Sequence, residues 1–191
     1  MADKNKVLFG FSECYVGEYE VAGDGTVTLG TPYHQAGAVN FAPSPANDEV
    51  DFYADDIDYF TEQIAGTRSG DLEVAKFDDE FKTRFLGYKR TGSGGIGEVQ
   101  NPVKPRVYIM FMIKGDKEAI KYCMYNGSLG AINREFATME GSRTPVTESV
   151  PTKFIGDAKS GLLLDHCKPG DSGYDTYFTN PPLPSVVDES E

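Results

Sequence analysis

Three groups of residues have types and spacing that bear on chemistry. Asp165-His166-Cys167 sets a base beside a thiol. Neighbours on a strand point to opposite faces, so this histidine and cysteine do not form a nucleophile–base pair. His34 is the other histidine of the two in the chain. Gly92-Ser-Gly-Gly-Ile-Gly97 fits G-x-G-x-x-G, whose phosphate-cradling use needs a strand before it and a helix after it. Here a helical segment precedes, and 98–105 carries Pro102 and Pro105, so the motif reads as a hairpin or linker loop. The carboxylates at 48–58 lack the alternating ligands, central glycine and closing glutamate of a calcium loop, which leaves at most weak cation binding. Two histidines and three scattered cysteines lack the paired spacing of a zinc site, and no G-x-S-x-G is present. The residues therefore predict no catalytic constellation, no metal site, no cofactor and no enzyme.

The elements that hold these residues are mainly β. The 191 residues, with 11 Tyr, 12 Phe, 21 Gly and no Trp, suit one globular domain rich in strands and turns. No apolar run reaches the roughly 18–20 residues of a membrane span. We see no signal peptide, and three odd, distant cysteines fit a reducing compartment. Val7–Phe11 reads as a short strand. Tyr15–Val21 alternates, with Glu18 and Glu20 on one face and Tyr19 and Val21 on the other. Gly23-Asp-Gly25 turns this strand into Thr26–Leu29. Residues 42–56 read as a solvated loop, broken by Pro43, Pro45 and Asn47. Ile57–Ala65 and Thr67–Ala75 read as a hairpin around Gly66, with Thr67, Ser69, Asp71 and Glu73 opposite Leu72 and Val74.

One helix is predicted over about 78–86. Asp78 is its N-cap, Phe77, Phe81 and Phe85 form an apolar stripe, and Gly87 ends it. Arg106–Ile113 is apolar on both faces, which predicts a central strand covered on two sides. A turn at Gly115-Asp116 leads to a partner strand, Ala119–Tyr125. Val146–Ile155 is a further strand that Pro151 places at an edge or bulge. The sum is an α+β, mainly β fold: a β-sandwich or distorted β-barrel with one flanking helix. Residues 1–180 form the domain, with an N-terminal arm and extended loops. Residues 181–191 form a flexible acidic tail.

Charge is unevenly spread. The net charge of −12 comes almost wholly from residues 1–75, where 3 basic and 14 acidic residues leave −11. Between Val7 and Thr67 there is no Lys or Arg and there are 11 carboxylates. Such a surface cannot neutralise phosphates, which argues against ordinary nucleic-acid binding.

The order of several short segments resembles phage major tail proteins of the phi13 type. The segments are Asn5–Ser12, Gly25–Pro32, Gly37–Asn40, Phe52-Tyr-Ala-Asp-Asp-Ile-Asp-Tyr-Phe60, Gly70–Ala75, Asp78–Gly87, Lys104–Phe111, Gly115–Lys117 and Tyr125-Asn126. The resemblance spans about 4–180. Two features depart from the family's pattern: Pro151 interrupts a strand, and Tyr177-Phe178 stands where an aromatic pair with Trp is usual.

The resemblance implies a tail tube protein of long-tailed, non-contractile phages. Six copies would form a ring, with four strands per subunit in a continuous inner barrel, and the rings would stack into a conduit for the genome. The implied partners are further copies of this chain, the tape measure protein, the tail terminator and distal tail proteins. DNA would pass without specific binding, and no membrane is involved. The implied location is the virion tail, assembled in the host bacterial cytoplasm. Combined with the charge pattern, this makes Glu18, Glu20, Glu62, Asp71 and Glu73 candidates for an acidic lumen. Asp48, Glu49, Asp51, Tyr53 and Asp55 are candidates for ring-to-ring contact, as is the segment 91–104. The competing reading is a monomeric β-sandwich that binds protein or sugar through Tyr53, Tyr59, Tyr174 and Tyr177.

Overall fold

A computed structural model describes residues 10–54, 57–113, 119–134 and 146–186, with the backbone alone at 46–65. The first strand, β1 (Phe11–Val21), joins Phe11 to the predicted Tyr15–Val21 strand, and residues 7–9 lie outside the described residues. It carries an irregularity between Ser12 and Tyr15, where Glu13 adopts φ 54°. Two short strands share one edge of β1: β2 (Val27–Leu29) across the predicted turn and β3 (Tyr33–Gln35) further along. The turn forms as read, with the Gly25 N–H donating to Ala22 O and the Thr26 N–H to Asp24 Oδ1, both at 2.9 Å.

The next region differs from the sequence reading. After β4 (Ala38–Phe41), the expected loop 42–56 is a strand, β5 (Ser44–Ala54). The expected hairpin around Gly66 is one strand, β6 (Ile57–Val74). The pairing passes from Ala46↔Thr67 to Asn47↔Ala65, so Gly66 is the unpaired extra residue of a bulge. Gly66 therefore marks a kink in a continuous strand. The acidic and Asn/Pro-rich composition that suggested a loop is compatible with β5 because among the described residues β5 is an edge strand, paired with β6 alone.

The helix matches its prediction. In α1 (Asp79–Phe85), the Asp78 carboxylate accepts the Phe81 N–H at 2.8 Å, and Gly87 at φ 70° follows the end. A small hairpin, β7 (Lys89–Arg90) with β8 (Ile96–Gly97), encloses the glycine-rich turn. The remaining strands are β9 (Val107–Ile113), β10 (Lys121–Leu129), β11 (Glu148–Phe154) and β12 (Leu164–Cys167). The expected turn at Gly115-Asp116 lies outside the described residues.

All strands but β7 and β8 join one antiparallel sheet ordered β2-β1-β9-β10-β11-β6-β4. β12 is added to β10, β3 to β1 and β5 to β6. The sheet curls without closing its ladder into a barrel. Phe41 of β4 reaches across to Phe11 of β1, Phe111 of β9 and Phe154 of β11, with centroids 6.2, 5.4 and 6.2 Å apart.

Pro151 does not mark an edge, because β11 lies between β10 and β6. It is tolerated because the ladder with β10 ends beside it. The regular pairs stop at Leu129↔Thr152, and the Pro151 carbonyl accepts the Gly130 N–H at 2.7 Å. A β-carbon on Gly130 would lie 2.4 Å from Pro151 Cγ, so the proline ring occupies the space a side chain would need.

β9 is covered on both faces, as its composition predicts. Val107, Ile109 and Phe111 enter the main core with Val16, Leu72, Val74, Val150, Phe154 and the helix stripe Phe77, Phe81 and Phe85. Tyr108 and Met110 enter a second cluster with Tyr19, Cys123, Tyr125, Cys167 and Tyr177. The cover over the second cluster is the C-terminal segment. Tyr125 Oη donates to Pro182 O at 3.0 Å, Tyr174 Oη to Ala119 O at 2.7 Å, and Tyr177 Oη to Asp165 Oδ2 at 3.0 Å. Phe178 stacks on Tyr15 at 4.8 Å.

Candidate functional site

The nucleophile candidates are inert. β12 turns Cys167 inward and leaves His166 exposed, as strand alternation requires. Burial pushes the Cys14 thiol up to about 12, and burial and then the nearby Asp171 and Asp165 charges raise that of Cys167. Protonated, buried thiols are poor nucleophiles and poor metal ligands. Among the described residues no three His, Cys, Asp or Glu side chains converge on a metal position. The carboxylate side chains at 48–58 lie outside those described.

The acidic candidates fall into three settings. Asp71 and Glu73 stand together on the outer face of β6 with Thr67 and Ser69, while Leu72 and Val74 are fully buried on the other face. Their neighbours on β11 are Lys153 opposite Ser69, Pro151 opposite Asp71 and Ser149 opposite Glu73. Thr147 Oγ1 donates to the Glu73 carboxylate. The result is a polar, hydroxyl-rich strip of sheet with Lys153 at one end.

Glu18 is on the opposite face of the sheet. It shares β1 parity with the core residues Cys14 and Val16, and its carboxylate is gripped by Arg84 of α1. Arg84 Nη2 also donates to Thr31 O at 2.8 Å. Burial works against the Glu18 charge, but the hydrogen bonds and charge of Arg84 outweigh it and hold the carboxyl below its usual range. Glu20 has the same parity and is exposed. The pattern that grouped Glu18 with Glu20 is correct for β1, but it does not unite them with Asp71 and Glu73.

Glu62 lies on the outer part of β6, paired with Val50. Asp48, Glu49, Asp51 and Tyr53 are strand residues of β5, paired with Ile64, Gln63, Thr61 and Asp58. Asp55 lies outside the described residues. The β5–β6 ladder runs far past the rest of the sheet: β11 leaves β6 at Phe154↔Arg68, so among the described residues only β5 lies beside 57–67. At about 3.3 Å per residue this is a two-stranded arm of roughly 35 Å. The segment 91–104 falls on the β7–β8 turn and the loop after it, where Lys104 Nζ donates to Leu129 O at 3.1 Å and to Gly130 O at 2.6 Å.

Of the aromatic patch of the monomeric alternative, Tyr174 and Tyr177 are used internally, and the side chains of Tyr53 and Tyr59 lie outside those described. Tyr177 is buried, and the Tyr174 hydroxyl is spent on Ala119. Lys121 Nζ sits over the Tyr174 and Phe178 rings at 4.1 and 4.8 Å.

A family model described as phage tail tube protein matches residues 2–127, well over half of the chain. The chain belongs to the phage tail tube protein family. This is a family of structural tail components and not of enzymes. No curated protein sequence matches.

Among solved structures the tail tube chain is similar to the anti-feeding prophage tube-terminating cap at 9% identity and TM-score 0.44, covering 88% of this chain and 97% of the cap. It is similar to the PVC sheath/tube terminator of an extracellular contractile injection system at 8% identity and TM-score 0.47, covering 87% and 99%. A chain of the PVC sheath-tube complex matches at 7% identity and TM-score 0.43, covering 85% and 93%. At TM-scores below 0.5 these likenesses carry no further argument, and the family assignment rests on the sequence match.

Sequence reasoning missed two features of this tail tube protein. The Glu18–Arg84 pair joins residues 66 apart in sequence, and no local signal announces it. The arm had one signal: the run Val50-Asp-Phe52 mirrored by Phe60-Thr-Glu62, which the register pairs as Phe52↔Phe60 and Val50↔Glu62.

Proposed function

We propose that six copies of this chain form a ring, and that stacked rings make the tube through which phage DNA leaves the capsid. The family membership supports a wall-forming role. The observation that carries the finer reading is the polar strip of β6, where Asp71 and Glu73 stand with Thr67 and Ser69 on a fully formed sheet face. A bore lined by this strip repels a polyanion at short range, within a Debye length of about 8 Å at physiological salt, and does not hold it. Of the five acidic candidates, Asp71 and Glu73 are the best lumen residues. Glu18 is already neutralised by Arg84.

On this reading the tail is of the non-contractile kind. The ends of the tube meet the tail terminator and distal tail proteins, and the tape measure protein fills the bore before ejection. The site is the virion tail, assembled in the host cytoplasm. Size-exclusion chromatography and negative-stain imaging of the purified chain test the assembly: hexamers or hollow tubes support it, and a strict monomer at high concentration refutes it. In virions, Asp71→Lys with Glu73→Lys is expected to slow DNA release, and unchanged ejection kinetics would remove these residues from the bore.

A further inference from the structure

The second apolar cluster is covered by a segment that has no ladder. Residues 168–182 follow β12 and lie over Tyr19, Tyr108, Met110, Cys123 and Tyr125. Their backbone hydrogen bonds are turns within the segment: the Asp171 N–H to Lys168 O, the Tyr174 N–H to Asp171 O and the Asn180 N–H to Thr176 O, at 3.0, 3.1 and 2.7 Å. Among the described residues no backbone hydrogen bond joins 168–182 to a strand. Side chains hold the segment to the sheet.

Those side chains are concentrated at one place. Between 168 and 180 only Tyr174, Tyr177 and Phe178 are not exposed. Tyr177 is buried, and its hydroxyl donates to Asp165, which the register sets opposite Cys123. Tyr174 and Phe178 wall the ammonium of Lys121 of β10, which lies 4.1 and 4.8 Å from their ring centres. Lys121 Nζ also donates to Tyr174 O at 2.6 Å. One lysine thus grips the segment by two rings and a carbonyl. The segment leaves β12 through Lys168-Pro169-Gly170, where Gly170 has φ 104° and open space beside its α-carbon, as suits a hinge.

We propose that residues 168–182 are a latched strap that opens from the sheet while the rest of the domain stays folded, with Lys121 as the latch. The body is held by ladders and the main core together, so its strands separate only as a whole. The strap has neither, and a segment without a ladder and with few buried side chains opens at the lowest cost. Opening uncovers Tyr108, Met110, Cys123 and Tyr125. The strap therefore decides whether this face of the subunit is polar or apolar toward its surroundings.

Two thiols separate the strap from the body. Cys123 is buried beneath the strap, and Cys14 is buried in the main core. The full-length protein is labelled under native conditions with an aromatic disulfide reagent, and each site is followed by peptide mass. Cys123 is expected to react faster than Cys14, through an opening that low denaturant barely accelerates. Lys121→Met and, separately, Phe178→Ala are each expected to speed Cys123 labelling about tenfold or more while leaving the Cys14 rate unchanged. Lys121→Arg, which keeps a cation over the rings, is expected to retain most of the protection. Equal rates at Cys123 and Cys14 that rise together with denaturant overturn the strap as a separate unit. An unchanged Cys123 rate in Lys121→Met, or an arginine that protects no better than methionine, overturns the latch.

Discussion

The body of the sheet and the arm are built on opposite terms. In the body every strand has neighbours, and the main core joins Leu72, Val74, Val107, Ile109 and Phe154 to three phenylalanines on and beside a seven-residue helix. Some of its charges are answered within the subunit: Glu18 by Arg84, Glu148 by Arg134 at 2.6 Å and by the Phe77 N–H at 2.8 Å. The arm has a ladder, no second layer among the described elements and carboxylates without cations of its own. The body holds its fold by burial, whereas among the described residues the arm is held by its backbone ladder.

The sharpest break in this contrast is in the helix stripe. Phe81 is fully buried, stacks on Phe77 at 4.6 Å and contacts Phe85 at 5.2 Å. Phe81→Ala is expected to cost about 3–5 kcal/mol by denaturant titration. Asp51→Asn in the arm is expected to change the same measurement by less than about 0.5 kcal/mol. An equally large loss from both would dissolve the distinction.

A smaller effect is expected where two strands meet face to side chain. A β-carbon on Gly17 would lie 2.3 Å from the Tyr108 ring, which is fully buried with its hydroxyl donating to Gly30 O at 2.6 Å. Gly17→Ala must displace that ring, and overpacking of this kind costs about 1–3 kcal/mol. Recovery of stability in Gly17→Ala with Tyr108→Leu would show that the ring is the obstacle.

Acid sharpens the comparison with the gentlest effect. Asp157 is buried, which raises its pKa, but Tyr19 Oη at 2.6 Å, the Ser160 N–H and hydroxyl, and the Lys159 N–H outweigh burial and hold it low. Glu18 is held low by Arg84. Both folded values lie below the ordinary 3.8 and 4.5. The unfolded chain therefore takes up protons first as pH falls. The stabilisation from these two groups is complete above about pH 5 and is lost as pH drops through their folded values. Melting temperatures from pH 6 to pH 3 are expected to fall in the unaltered protein and to fall less in Tyr19→Phe, which lacks one of the bonds to the ionised carboxylate.

The elements with strong local signals are legible in the amino-acid order alone. The Asp78 cap with phenylalanines at every fourth position marks the helix, the Asp24-Gly25 turn marks the first hairpin, and the two-faced apolar run of β9 marks a strand covered on both sides. The β5–β6 arm is illegible as a strand pair because the Asp, Asn and Pro of β5 have low strand propensity, and the pairing with β6 is what makes the segment a strand. Gly66 reads as a turn in isolation and becomes a bulge only when Ala46 and Asn47 face its neighbours. Pro151 reads as an edge signal, yet it sits inside the sheet because Gly130 makes room for its ring.

By itself the sequence determined the β-rich class, the helix with its cap and stripe, the parity of Thr67 to Glu73 and the concentration of negative charge before residue 75. These depend on period, turn chemistry and composition, which act over a few residues. Only the tertiary structure decided that Glu18 meets Arg84, that Tyr177 is buried against Tyr125 and Cys123, and that the β5–β6 ladder runs on past the end of β11. These depend on which strand lies beside which, and that order is set by contacts between residues tens of positions apart, where the chain's local preferences are silent.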